Sequence, residues 1–273
     1  MKKHMSTIFL ILILIVGLSL LLYPTVADWW NSLHQSYAIS TYESVMANMS
    51  DEDYTHLFDE AMIYNEQLRQ LSMPMLYYDQ LEGYYSYLDV TGNGIMGYIQ
   101  IPKIDVRLPI YHGTSEGVLQ IAVGHLEGTS LPTGGESTHC VLSAHRGLPS
   151  SRLFTDLDKM EVGDTFTMTI VDRLLTYEVD QILIVDPANT QPLDIVEGED
   201  YCTLLTCTPY GINSHRMLVR GTRIENAEEV RVVRVSADAA QIEPLLVAPF
   251  LAVPVLLILL ILVILPKRKT KRK

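Results

Sequence analysis

Three side chains of complementary chemistry stand at comparable places in the sequence. Cys207 closes the half-apolar run Tyr201-Cys202-Thr203-Leu204-Leu205-Thr206, just before a turn containing Pro209 and Gly211. His145 follows the apolar run Cys140 to Ala144, and Arg216 opens the run Met217 to Arg220. A cysteine at a strand end is held rigidly yet reaches solvent, which suits a nucleophile. Its thiol must lose a proton to become a strong one. His145 can act as the base, or pair with the thiolate, and later protonate a leaving amine. Arg216 is permanently charged and presents five donors, suited to an oxyanion or a substrate carbonyl. Backbone N–H groups near Cys207 and Thr208 can share that work. The residues alone leave other readings open. Cys207 could be a buried apolar cysteine, His145 a satisfied structural histidine and Arg216 a surface charge. His112, His125, His139 and His215 are alternative partners for the thiol. A papain-like arrangement fits poorly, because there the cysteine precedes the histidine.

Short strands must position these residues. The pattern predicts strands over Ile95 to Ile101, Val106 to Tyr111, Cys140 to Ala144, Thr165 to Val171 and Leu175 to Val185, and Leu119 to Gly124 is a short apolar stretch among them. The Cys207 run, Met217 to Arg220 and Val230 to Val235 complete the set. Gly128 to Glu136 reads as a polar loop, Leu153 to Met160 as a short helix or turn, and Asp186 to Glu199 as a loop. Many short strands without long helices between them argue for a closed or nearly closed β-barrel.

Upstream, Trp29, Leu33, Tyr37, Val45 and Met49 recur at roughly helical spacing. Ser50 with Asp53 forms a capping box for a second helix carrying the stripe Tyr54, Leu57, Phe58, Ala61, Leu68 and Leu71. Pro74 is expected to end it, and the Met- and Tyr-rich stretch to Asp89 either packs between helix and sheet or caps a groove. Thr91-Gly92-Asn93-Gly94 reads as a turn; Asp89 to Asn93 lacks the remaining spacing and the closing Glu of a calcium loop.

Both ends are apolar. Ile8 to Leu22 follows Lys2 and Lys3, and bulky Leu21, Leu22 and Tyr23 argue for an uncleaved anchor over a signal peptide. Leu245 to Leu265 reads as a transmembrane helix before a tail with six basic residues. The flanking positive charges predict cytoplasmic termini and an outward-facing middle. Eight of the 20 basic residues lie in these tails, leaving 12 against 32 acidic residues, a net charge near −20. That disfavours nucleic acid as a partner. The cysteines, Cys140, Cys202 and Cys207, show no CxxC pair or zinc spacing. An odd count suits a working thiol better than a disulfide framework.

The sequence resembles the sortases, most closely class C, the pilin-polymerising transpeptidases. Thr203-Leu204-Leu205-Thr206-Cys207-Thr208-Pro209-Tyr210-Gly211 matches the TLxTC signature with its class C extension. Asn213-Ser214-His215-Arg216-Met217-Leu218-Val219-Arg220-Gly221 matches the arginine strand, and Leu142-Ser143-Ala144-His145-Arg146-Gly147 the histidine motif. Gly94 to Ile99, Leu108 to Gly113 and Val123 to Gly128 also look like class C blocks. The resemblance implies an eight-stranded barrel with an N-terminal helical extension and two flanking transmembrane segments. It implies that Cys207 attacks an LPxTG-like sorting signal, His145 serves as acid and base, and Arg216 stabilises the intermediate. Thr206 and Thr208 are possible oxyanion or substrate contacts. A pilin lysine then resolves the acyl-enzyme; single attachment of surface proteins to the cell wall, or a scaffold that only binds sorting signals, are the alternatives. No cofactor or metal is implied.

The expected organisation is a cytoplasmic tail over 1–7, an anchor over 8–22, a helical extension over 23–90, the barrel over 91–236, a linker over 237–244, a transmembrane helix over 245–265 and a basic tail over 266–273. The catalytic domain is expected on the extracellular face, with membrane lipids and pilin or surface-protein substrates as partners. Class C enzymes commonly carry a lid with an Asp-Pro-aromatic motif. The corresponding region, about Leu71 to Leu81, has no such triplet, and Met73, Met75 and Tyr77 are the residues that could serve instead. If the strands of Cys140 and Cys202 are parallel neighbours, as the resemblance implies, those thiols could meet. Two independent core cysteines are the leading expectation, a disulfide or close thiol pair the alternative.

Overall fold

The computed structural model describes residues 2–226. The expected strand at Val230 to Val235, the linker, the second apolar segment and the basic tail lie outside the described residues.

Eight strands close into a barrel: β1 (Ile95–Ile101), β2 (Val106–His112), β3 (Val123–His125), β4 (Thr138–Ser143), β5 (Thr165–Ile170), β6 (Arg173–Val185), β7 (Asp200–Thr208) and β8 (His215–Ile224). Their order around the barrel is β1-β2-β3-β4-β7-β8-β6-β5. Closure removes the open edges that a single sheet would expose. The β2–β3 and β4–β7 pairs are parallel, and the other six are antiparallel. The core is filled by inward residues of alternating strands, among them Ile99, Phe166, Met168, Tyr177, Cys202 and Val219.

One apolar stretch is only partly a strand. Leu119 to Gly124 splits into the end of a helical turn, α4 (Glu116–Leu119), and a β3 that starts only at Val123. The amides of Ile121 and Ala122 bond back to Val118 instead of joining the ladder. The Gly128 to Glu136 loop is polar, yet its first six residues are buried and only its end is exposed. Thr129, Ser130, Leu131 and Thr133 are buried, because Asn65 bonds Leu131 through both its backbone groups and also Thr133.

The helical extension runs through one proline and, against expectation, restarts at another. α1 (Lys2–Met46) is one uninterrupted helix with Pro24 inside it, so the apolar segment and the helix bearing Trp29 and Leu33 are a single rod. A proline inside a helix costs one hydrogen bond and about 3 kcal/mol. Here the chain beyond it is held by docking, with Ile39, Tyr42 and Met46 buried against the barrel. The Tyr42 hydroxyl donates to the Met96 carbonyl at 2.8 Å and accepts from the Val171 amide at 2.7 Å. Burial pushes its phenol well above the usual tyrosine range. α2 (Asp51–Arg69) begins at the predicted capping box of Ser50 and Asp53. It stops before Pro74, which instead opens the one-turn α3 (Pro74–Tyr77), where a missing N–H costs nothing.

Candidate active site

The strand ends assemble the site. In the antiparallel β7–β8 pair Cys207 stands directly opposite Arg216. β4 runs parallel to β7 with Ser143 opposite Leu205, so the chain leaves β4 at the end of the barrel where β7 reaches Cys207. Two hydrogen bonds carry the pairing past β4: Ala144 N–H donates to the Leu205 carbonyl at 3.2 Å, and the Thr206 hydroxyl donates to the Ala144 carbonyl at 2.9 Å. His145 is the next residue. The barrel thus gathers Cys207, His145 and Arg216 at one end, with all three partly exposed.

Each side chain has identifiable support. The guanidinium of Arg216 donates through Nη1 to the Asn213 and His215 carbonyls, both at 3.2 Å, which bends it over its own turn. His145 Nε2 makes no hydrogen bond among the described residues and lies 3.6 Å from Glu116 Oε2 on α4. The loop after His145 is braced by Phe154 N–H donating to the His145 carbonyl at 3.1 Å and by Gly147 N–H donating to Thr155 Oγ1. Gly147, at φ +79°, has no room for a side chain: an added Cβ would lie 2.6 Å from the Tyr210 ring. The loops after β4 and β7 are therefore packed together.

Thr206 is buried, and its hydroxyl is spent on Ala144; it positions the two strands, and its Oγ1 is not turned toward Cys207's face. Thr208 is also buried and sits opposite His215, before a cis peptide bond to Pro209. The alternative histidines separate clearly. His112 bonds the Gly94 and Tyr87 carbonyls, His125 bonds Tyr84 and the Ser130 carbonyl, and His139 bonds the Asp194 carbonyl and Thr203. All three are buried, and burial lowers the basicity of His112 and His139. They are satisfied structural histidines. His215 is exposed beside Ser214.

The outer face of β7 leads away from Cys207 along an apolar floor. Leu205 shares that face with Cys207 by strand alternation. It packs with Val141, Leu193 and Leu218, and Met75 of α3 packs onto the same cluster. Beside it lies a cavity of about 640 Å³ walled by Met73, Pro74, Met75, Gly128, Leu193 and Asp194. Gly128, at φ +83°, admits this close approach: a Cβ there would lie 2.7 Å from Met75 Cα. Of the candidate lid residues, Met75 enters the floor, while Met73 and Tyr77 are exposed. The loop between β6 and β7, which supplies Leu193 and Asp194, forms the opposite wall. Its role was not visible in the sequence, where Asp186 to Glu199 reads only as a loop.

The other cysteines face inward. Cys140 and Cys202 are register partners on β4 and β7, buried and free, so they form a close thiol pair and not a disulfide. Burial and the neighbouring thiol hold Cys202 well above the usual thiol range. That makes it inert beside the half-exposed Cys207. Among the described residues no group of His, Cys, Asp and Glu is arranged to hold a metal ion.

The chain is similar to several known proteins. A family model for the sortase domain matches residues 99–224. Sortase D of Bacillus subtilis is 30% identical over 149 residues, 54% of this chain and 72% of that protein. Sortase C1 of Streptococcus agalactiae superposes with a TM-score of 0.64 at 50% identity, covering 70% of this chain and 100% of that chain. Sortase C of Streptococcus pneumoniae gives 0.61 at 43% identity, covering 70% and 97%.

Proposed function

The chain belongs to the sortase family of cysteine transpeptidases, with class C sortases as its structural neighbours, and on that premise we propose that it polymerises pilin subunits through Cys207, His145 and Arg216. The observation that carries the assignment of residues is the direct pairing of Cys207 with Arg216 beside the end of β4. The Cys207 thiolate attacks the carbonyl of the threonine in an LPxTG-like sorting signal. Arg216, with nearby backbone N–H groups, stabilises the oxyanion. The C–N bond to glycine breaks as His145 gives its proton to the leaving amine, and a thioester remains on Cys207. A lysine amine of a second pilin attacks the thioester and loses a proton to His145, and an isopeptide bond forms as the thiolate leaves.

Pilins are proposed as substrates because the S. pneumoniae sortase C, the neighbour at 43% identity, has pilin substrate specificity. α1 is long and apolar enough to cross a membrane. In the proposed topology it anchors the enzyme with the barrel outside the cell and the N-terminus in the cytoplasm.

Incubation with an LPxTG-like peptide, followed by intact-mass measurement, tests the chemistry. A thioacyl adduct that disappears in Cys207→Ala supports it, and folded protein that forms no adduct across such motifs overturns it. Pilin added as both donor and acceptor then gives a ladder if the enzyme polymerises, and single adducts on wall-peptide amines if it attaches proteins singly.

A further inference from the structure

α1 fixes where the membrane lies relative to the site. No charged side chain occurs in the 20 residues from Ile8 to Ala27. At 1.5 Å per residue they span about 30 Å, the thickness of a bilayer's hydrocarbon core. Asp28, Trp29 and Trp30 follow immediately, where charge and aromatic rings mark a membrane–water boundary.

That boundary is bonded to the loop that follows His145. Asp28 Oδ1 accepts from the Arg152 amide at 2.8 Å, and Asn31 Nδ2 donates to the Ser150 carbonyl at 2.8 Å. One turn on, Gln35 Nε2 donates to the Ile121 carbonyl at 2.7 Å, just before β3. These partners belong to the end of the barrel that carries Cys207. Further along α1, Tyr42 reaches Met96 and Val171, at the start of β1 and after the end of β5, towards the opposite end.

The β7–β8 turn projects from the same end. Tyr210 packs on Gly147 in the loop that α1 holds, which links the turn to the helix. Yet Tyr210 is 61% and Ile212 73% exposed. The turn is not slack: the Ile212 and Asn213 amides both donate to the Pro209 carbonyl, at 3.1 and 2.9 Å. It presents two apolar side chains on a rigid support. Trp30, Leu33 and Ile121 add exposed apolar surface near that end.

We infer that Tyr210 and Ile212 seat in the headgroup–acyl boundary of the phospholipid bilayer that α1 crosses, holding the mouth of the site at the membrane surface. This rests on the proposed anchoring by α1. An apolar pair on a polar domain gains free energy at that boundary, and tethering by α1 supplies it at high effective concentration. The contact also bears on chemistry, because the Asn213 and His215 carbonyls of this turn orient the Arg216 guanidinium.

The test uses the unsubstituted full chain in vesicles of phosphatidylcholine and phosphatidylglycerol containing a phosphatidylcholine with a diazirine near its glycerol end. After irradiation, adducts are mapped by peptide mass spectrometry. Met62 and Ile63 on α2 are the comparison, being exposed apolar residues on the helix that packs at the opposite end. Labelling of 209–214 at about tenfold or more over the peptide containing Met62 and Ile63 is expected, from the partitioning of side chains of this size. Labelling of 8–30 without 209–214 overturns the inference and leaves the anchor standing. No labelling of 8–30 overturns the anchoring itself, and the inference with it. In a Tyr210→Ser, Ile212→Ser variant, labelling of 209–214 is expected to fall to the level of the α2 peptide while that of 8–30 persists; undiminished labelling of the turn overturns the seating of these two side chains.

Discussion

The Thr206 hydroxyl donates to the Ala144 carbonyl, so the residues immediately before Cys207 and His145 are bonded to each other. This single bond extends the β4–β7 pairing beyond the last backbone rung and sets the spacing of the proposed nucleophile and base. Thr206→Val keeps the shape but leaves a buried carbonyl without its donor, at a cost of about 1–3 kcal/mol. The expected outcome is a fall of about tenfold in the rate of thioacyl formation with little change in KM, and recovery in Thr206→Ser. Stopped-time intact-mass measurements with an LPxTG-like peptide check it. An equal loss in Thr206→Ser would remove the hydroxyl from the argument.

Met75 occupies the apolar floor beside Leu205, on the face of β7 that carries Cys207. A substrate laid along that face must displace it. We expect Met75→Ala to raise kcat/KM for a sorting-signal peptide by about three- to tenfold, because the open state no longer competes with that contact. A lowered kcat/KM would identify Met75 as part of the substrate's own wall. α3 lacks side-chain capping and buries none of its residues completely, so its detachment costs little of the core.

Only one of the three thiols reaches solvent. A water-soluble thiol reagent is expected to modify Cys207 alone in the folded enzyme and all three cysteines after unfolding. Cys207→Ala should then remain unmodified until it unfolds. Modification of Cys140 or Cys202 under native conditions would mean that the barrel opens between β4 and β7.

Local signals were legible in the sequence and distant ones were not. The Ser50–Asp53 capping box and the bounds of β1 come from neighbouring residues and match the structure. The Cys207–Arg216 pairing is nearly local too, since a short turn joins β7 to β8. His145 is different. Its approach to Cys207 depends on the parallel β4–β7 pairing, whose strands are separated by β5 and β6, and here only the family resemblance pointed to it. The burial of Gly128 to Thr133 was hidden for the same reason, because its partner Asn65 lies 66 residues before Leu131. Pro74 reads locally as the stop of α2, but α2 already ends at Arg69 and the proline opens a new turn, which its local cost does not reveal.

Asp200 gives the fold a pH dependence. Its carboxylate accepts from the Gly135 amide at 2.7 Å and the Tyr177 hydroxyl at 2.9 Å, but burial outweighs these bonds and raises it above the usual carboxylate range. The native state therefore holds this proton more tightly than the unfolded chain. Stability falls as pH rises from the ordinary aspartate range, about 4, through the raised native value, and the loss is complete above it. Asp200→Asn removes the titration while keeping an acceptor for one of the two donors. In thermal unfolding followed from pH 4 upward, the difference in Tm between wild type and Asp200→Asn is expected to move against the wild type as pH rises, and then to level off. A difference that is constant with pH would show that Asp200 titrates alike in the folded and unfolded chains.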